Sequence, residues 1–287
     1  MLKGFFYIYY KSILMPYRLL QIFLLFLLFS CQTKEDNHSV FNQNISVHPK
    51  NGGIVLTFDD DYVDDWFDLN RQLMPYNWKG TFFVTHFDKL PEREIRELRY
   101  LQIYGNEIGG HGLNHLNSIM YIKDFGGNQF MQNEINPMLH LMYRNGFKVA
   151  SFSYPYGARN KDSDDLLFKH FKFLRGTTYG SENPEKQNCY YNYNPLVYGL
   201  GIDSSYEHFN LDYYFSILKY AQENNKIAVF YAHKTVPKTN GKYQTDYETL
   251  IKICKYVKEN NMNFYTMSDL EHIKQPLIEI KKAENQF

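Results

Sequence analysis

From Gly53 onward, apolar positions along the chain follow two alternating patterns. Short dense runs, "GIVLTF", "GTFFVT", "NEIGGH", "KVASFSY", "FKFLRGTT", "LVYGLGI", "KIAVFYAH" and "MNFYTMS", read as buried β-strands. Between most of them lie segments whose apolar residues recur three and four apart, as on one face of a helix. These are "YVDDWFDLNRQLM", "PEREIRELRYL", "QFMQNEINPMLHLMYRNG", "DSDDLLFKHF", "NLDYYFSILKYAQENN" and "DYETLIKICKYVKENN". The last two end in Asn pairs, which suit a helix C-terminus because Asn tolerates the left-handed conformation. The polar stretch Gly180 to Pro195 reads as a long loop. About eight β units with interspersed helices predict an α/β protein, a parallel sheet closed as a barrel rather than two domains.

The start of the chain is of another kind. Leu19 to Cys31, "LLQIFLLFLLFSC", is an apolar run broken only by Gln21 and preceded by Arg18. It is too short to span a bilayer comfortably and follows the order of a secretion signal. Its ending resembles a bacterial lipobox, which implies lipidation of Cys31; an uncleaved anchor is the alternative. Met15 makes a better start than Met1, because it leaves the basic "MPYR" directly before the apolar core. The expected organisation is a signal peptide over 1–30, a polar tether over 31–52, a folded domain over 53–275 and a polar tail over 276–287. An exported lipoprotein of the bacterial envelope, held on the periplasmic face or the cell surface, follows as the expectation.

Composition narrows the partners. Lys plus Arg (31) equals Asp plus Glu (31), so no whole-chain field favours nucleic acid. No protein partner is implied either. Apolar content of 44% is ample for a core, and the 26 Tyr and 23 Phe are expected mostly within it. With Cys31 assigned to lipid, Cys189 and Cys254 are too few for a disulfide framework; they either pair or stay buried and free.

The polar residues at strand ends carry the chemistry. In a parallel barrel the C-terminal strand ends share one rim, where such folds build their sites. Asp59 and Asp60 end the first strand, His111 and His115 follow the third, "YPYG" (Tyr154 to Gly157) follows the fourth, and His233 ends the seventh. His111 and His115, four apart, would project from one face of a helical turn and grip one metal ion. By themselves they are more readily an ordinary polar pair. A carboxylate at the same rim completes two His and one Asp, the donor set of a catalytic divalent site with room for water. One of Asp59 and Asp60 would ligate and the other accept a proton. Adjacent strand residues point to opposite faces, so the chain must bend there for both to enter one pocket. His233 suits a general acid, and a backbone N–H in the "YPYG" turn an oxyanion donor. Trp66 and Trp78 are expected to pack on the first barrel layers, with Trp66 near enough to the site to stack on a sugar.

"TFDDDY", "HGLNH", "YPYG" and "YAH", in this order, resemble the successive motifs of the polysaccharide deacetylase family (NodB-like domains, carbohydrate esterase family 4). The resemblance covers about Gly53 to Leu270. It implies a distorted (β/α) TIM-like barrel of seven to eight strands and a divalent metal, zinc first, with Co2+, Ni2+ or Mn2+ as alternatives. It also implies hydrolysis of acetyl groups from sugar units. Carried over by motif, Asp59 matches the catalytic base, Asp60, His111 and His115 the metal ligands, the N–H of Tyr156 the oxyanion donor, and His233 the acid. Three positions depart: Asp61 stands where the family has Gly, Gly112 where it has Ser or Thr, and Ser153 where many members have the Arg that steadies the base. Arg175 could supply that charge from the next strand, and Asp203 could orient His233. Asp61 is expected either to cap the following helix or to tune Asp59.

The leading expectation is de-N-acetylation of an N-acetylglucosamine-containing polysaccharide at the cell envelope. An O-acetyl esterase on xylan or another acetylated glycan would use the same groups. A non-catalytic carbohydrate-binding lipoprotein on a decayed scaffold is the rival from another class.

Overall fold

β1, Gly53–Asp60, is buried at every position except its last, as a parallel strand covered on both faces must be. Its side chains alternate between two cores. Ile54, Leu56 and Phe58 meet the surrounding helices. Val55 packs instead with Phe83, Phe173, Val197, Ile227 and Val229, each from a different position on another strand, so this second cluster is the barrel interior. The computed structural model describes residues 51–180 and 183–273, all within the unit Ser46–Phe287. The Cys31 segment, the tether to residue 50 and the tail from 276 lie outside the described residues.

β1 is followed in order by β2 (Thr81–Val84), β3 (Glu107–Gly110), β4 (Ser151–Ser153), β5 (Phe173–Thr178), β6 (Leu196–Gly201) and β7 (Ile227–Ala232). Each pairs in parallel with its predecessor, and β7 returns to β1 from Gly53↔Ile227 to Phe58↔Ala232. Among the described residues, seven strands therefore close the barrel. A short pair, β8 (Lys234–Val236) with β9 (Gln244–Asp246), stands outside it. β10, Asn263–Tyr265, is the eighth expected strand but not an eighth stave. It pairs with Gly53–Val55 at the start of β1, whereas β2 pairs with Thr57–Asp60 at its end. Beyond β10, Met267, Leu270 and Ile273 enter the interior cluster and fill the end of the barrel opposite the strand C-termini.

The helices cover the outer face through the spacings seen in the sequence. Val63–Leu73 buries Val63, Trp66, Leu69 and Leu73; Tyr247–Glu259 buries Leu250, Ile253, Cys254 and Val257. After the two last helices, Asn225 (φ 50) and Asn261 (φ 53) take the left-handed conformation, as their Asn pairs predict. Helix Ser118–Phe125 and the β8–β9 pair were not expected. The first is shorter than a periodic pattern needs to register, and the second consists of three-residue strands in polar sequence. Cys189 and Cys254 are both buried and free, and burial pushes the Cys189 thiol up to about 12, so neither presents a reactive thiolate near neutral pH.

Candidate active site

Strand alternation decides which side chains look into the barrel. Val55 faces inward, so Thr57 and Asp59 do too; likewise Ser153 after Ser151, Arg175 after Phe173, and Tyr231 and His233 after Val229. Asp60 would face outward by the same rule. It lies instead at φ 88, a left-handed conformation rare for a non-glycine residue. The N–H of Thr85 donates to its carbonyl at 3.0 Å. This bend turns both carboxylates into one pocket of ≈ 340 Å³, lined also by His111, His115, Tyr156 and His233.

Asp60, His111 and His115 form a compact donor set. The two Nε2 atoms are 3.2 Å apart, and Asp60 Oδ1 is 3.6 Å from His111 Nε2 and 3.3 Å from His115 Nε2. Ligands about 2.0–2.1 Å from a tetrahedral ion stand about 3.3 Å from one another, so these three fit one divalent cation. Among the described residues this is the group of His, Cys, Asp and Glu so gathered. His111 is buried, and its Nδ1 meets the Ser153 carbonyl at 2.8 Å. With Nδ1–H donated there, Nε2 is left as the ligating lone pair. Burial alone would push Asp60 up, but its contacts with His111 and then His115 hold it well below the ordinary carboxylate range.

The two histidines do not share a helical turn, contrary to the expectation from their spacing. Residues 111–117 are irregular, with Gly112 at φ 79 and His115 at φ 57. The left-handed residues fold the loop back so that the second imidazole reaches the first.

Two charged pairs flank this centre. Arg175, fully buried, binds Asp59 Oδ2 and the Ser153 hydroxyl through Nη2, while Ser153 Oγ donates to Asp59 Oδ2 at 3.3 Å. Asp59 Oδ1 is buried with no hydrogen-bond partner among the described atoms. Burial would raise the Asp59 carboxyl, but the charges of Arg175, then His111 and His233, hold it below its ordinary value. On the other side, Asp203 Oδ2 accepts from His233 Nδ1 at 2.5 Å, and its Oδ1 accepts from the His233 N–H at 3.2 Å and from Thr245 Oγ1 at 2.8 Å. Burial pushes His233 down, yet the hydrogen bond and charge of Asp203 raise it above its ordinary value. The structure thus brings Arg175 to Asp59 and Asp203 to His233.

Tyr156 lies at φ 62 in the "YPYG" turn; it lines the pocket, and its ring is 4.6 Å from that of His115. Trp66 needs correction as a sugar-stacking face. It is 0% exposed, its ring tilted against that of Phe82 at 5.2 Å, and its Nε1 donates to the His233 carbonyl at 2.9 Å. It is a core anchor beneath the site. Asp61 neither caps the helix nor meets Asp59: its Oδ2 lies 3.0 Å from His86 Nδ1, and the helix beginning at Val63 has no side-chain cap.

Sequence reasoning missed a tyrosine wall. Tyr206, Tyr231 and Tyr243 line the pocket beside His233, with the Tyr243 ring 5.4 Å from the His233 imidazole. Alternation from His233 could have pointed to Tyr231. Tyr206 and Tyr243 come from loops whose path only the fold fixes. His208, which showed no partner in the sequence, stacks on Tyr206 at 5.4 Å and places Nε2 2.8 Å from the Gly201 carbonyl.

Residues 46–170 match the family model described as polysaccharide deacetylase. No curated protein matches the chain. Among solved structures, a carbohydrate esterase family 4 pseudoenzyme from Bacillus anthracis superimposes with a TM-score of 0.52 at 13% identity, over 79% of this chain and 68% of that one. A peptidoglycan deacetylase from Bacillus subtilis gives a TM-score of 0.48 at 18% identity, over 79% and 93% of the two chains. A family 4 acetyl xylan esterase from Clostridium thermocellum, in complex with cobalt, gives 0.49 at 17%, over 76% and 89%. The Bacillus anthracis superposition supports the likeness of fold.

Proposed function

We propose, on the match of residues 46–170 to the polysaccharide deacetylase family, that the protein is a metal-dependent hydrolase removing acetyl groups from a polysaccharide. The reading goes further, to de-N-acetylation of N-acetylglucosamine units at the cell envelope. One observation carries the catalytic reading: Asp60, His111 and His115 stand at ligand spacing between the Asp59–Arg175 and His233–Asp203 pairs, all at one pocket. A decayed scaffold has no use for both charged pairs, each of which costs desolvation to bury.

A divalent cation held by Asp60, His111 and His115 would supply an acidified water and a Lewis acid at neutral pH. The protein supplies the rest. Asp59, ionised through Arg175, takes the water's proton on Oδ1, the oxygen that Arg175 and Ser153 leave free. His233 donates Nδ1–H to Asp203, which leaves Nε2 to carry the proton that the leaving amine or alkoxide needs. The N–H of Tyr156 is assigned to the developing oxyanion. The exposed Tyr156 and Tyr243 rings offer flat faces to a sugar.

Metal analysis joined to an acetate-release screen tests this, with chito-oligosaccharides beside acetylated xylan. Acetate from chito-oligosaccharides supports de-N-acetylation; release from xylan alone makes the protein an O-acetyl esterase. A wild type that holds no metal and releases no acetate ends the hydrolase reading in favour of a binding protein. Export and anchoring through Cys31 belong to the same proposal and rest on the sequence alone. Intact-mass analysis of the protein from its native host would show the lipid on Cys31, or an unmodified thiol that refutes it.

A further inference from the structure

Glu134 is fully buried, and its carboxylate faces the loop that carries the two candidate metal histidines. Oε2 accepts the backbone N–H of Asn114 at 2.8 Å and its side-chain Nδ2 at 3.0 Å. Oε1 accepts the N–H of Leu116 at 3.0 Å. Asn114 and Leu116 are the residues on either side of His115. Burying an ionised carboxylate is costly unless donors satisfy it, and here the donors are those of this loop.

Two further features fit the same purpose. A Cβ on Gly112 would fall 2.2 Å from Glu134 Oε1, so any side chain at the position directly after His111 would force this carboxylate to shift. Glu134 also stands in a π-helical stretch, Met131–Ile135, between the α-helical Gly127–Phe130 and Asn136–Arg144. Such wide turns are uncommon and concentrate at functional sites. The loop they face holds His115 at φ 57, a conformation that persists in a non-glycine residue only where the surroundings over-determine it.

We propose that Glu134 is a positioning residue for the metal centre: its buried carboxylate clamps the N–H groups flanking His115 and so holds His115 Nε2 opposite His111 and Asp60. The inference rests on the reading that these three residues hold a divalent cation. Glu134 touches neither the cation nor the substrate. It sets how well the ligand set is preorganised, hence metal affinity and coordination geometry.

The test is direct titration of metal-stripped protein with Zn2+ by calorimetry, together with the visible absorption of the Co2+ form, whose d–d bands report coordination. Glu134→Gln turns an amide N–H toward one of the loop donors. It is expected to weaken Zn2+ binding by about 10–100-fold and to shift the Co2+ bands. Glu134→Asp, which keeps the charge but falls short of the three donors, should weaken binding in the same direction and covers the case in which Glu134→Gln does not fold. Glu107→Gln is the control. Glu107 lies at the other end of β3 and accepts from Ser151, Ser268 and Thr81, so its loss should lower the melting temperature and leave Zn2+ affinity unchanged. A folded Glu134 variant with wild-type affinity and wild-type Co2+ bands overturns the proposal, as does a Glu107→Gln variant that loses as much affinity. A wild type that takes up neither Zn2+ nor Co2+ overturns the underlying reading of the metal centre itself.

Discussion

The guanidinium of Arg175 is bound to the carboxylate of Asp59, 116 positions earlier in the chain, with both side chains buried in the barrel. Arg175 also lies over the rings of Tyr231 (4.8 Å) and Phe83 (5.7 Å). The charge therefore sits in an aromatic sleeve where water cannot compensate its loss. Removing one partner of a buried pair costs about 3–5 kcal/mol because the other charge is left alone.

Arg175→Met is expected to lose stability on that scale at neutral pH in denaturant unfolding. It should also move the acid limb of the kcat/KM profile to higher pH, because Arg175 holds Asp59 below its ordinary value. The sign follows from linkage: a depressed carboxylate stabilises the fold above its unfolded pKa and loses that contribution as pH falls through the folded one. A variant with an unmoved acid limb would show that Arg175 does not set the ionisation of the base.

Asp203→Asn should shift the other side of the profile. Asp203 raises His233, so the alkaline limb, where the acid loses its proton, is expected at lower pH in the variant. The Asp–His contribution to stability is present below the unfolded pKa of the histidine and is lost as pH rises through the folded one. Thermal unfolding of wild type and variant should accordingly differ more at pH 5 than at pH 9. Equal alkaline limbs would remove Asp203 from the acid dyad.

Asp59→Asn separates proton transfer from metal binding. The amide keeps the shape but cannot accept the water's proton, so turnover is expected to fall by about 100-fold or more while metal content, read by atomic emission, stays at the wild-type level. His111→Ala is expected to lose both. An Asp59→Asn variant with full activity would assign the base elsewhere.

Asp61→Gly tests the third aspartate of the "DDD" run. Its partner is the half-exposed His86, and exposed pairs contribute about 0–1 kcal/mol. The variant should melt within a few degrees of wild type and keep its pH profile. A shifted acid limb would instead mean that Asp61 tunes Asp59.

Much of this protein is legible in the residues themselves. The eight dense apolar runs mark the seven staves and β10, because a strand covered on both faces has no polar side to show; that β10 is not a stave is decided by its register on β1. The Asn pairs fix two helix ends, and strand alternation sets Asp59 on one side of β1 and Asp60 on the other unless the chain bends. The grouping of distant polar residues at one rim also follows from parallel strands. What the sequence could not supply is whatever depends on backbone bends and on packing across the barrel. The His-x-x-x-His spacing reads as a helical turn, yet the loop is irregular, because Gly112 and His115 take left-handed conformations opposite a carboxylate twenty residues away that no local pattern reveals. Trp66, beside the aspartates in sequence, turns into the core because its helix buries that face. Whether Arg175 is a surface charge or the partner of the base is likewise a tertiary fact: only closure of the sheet brings β5 opposite β1 and leaves the guanidinium no water to choose instead.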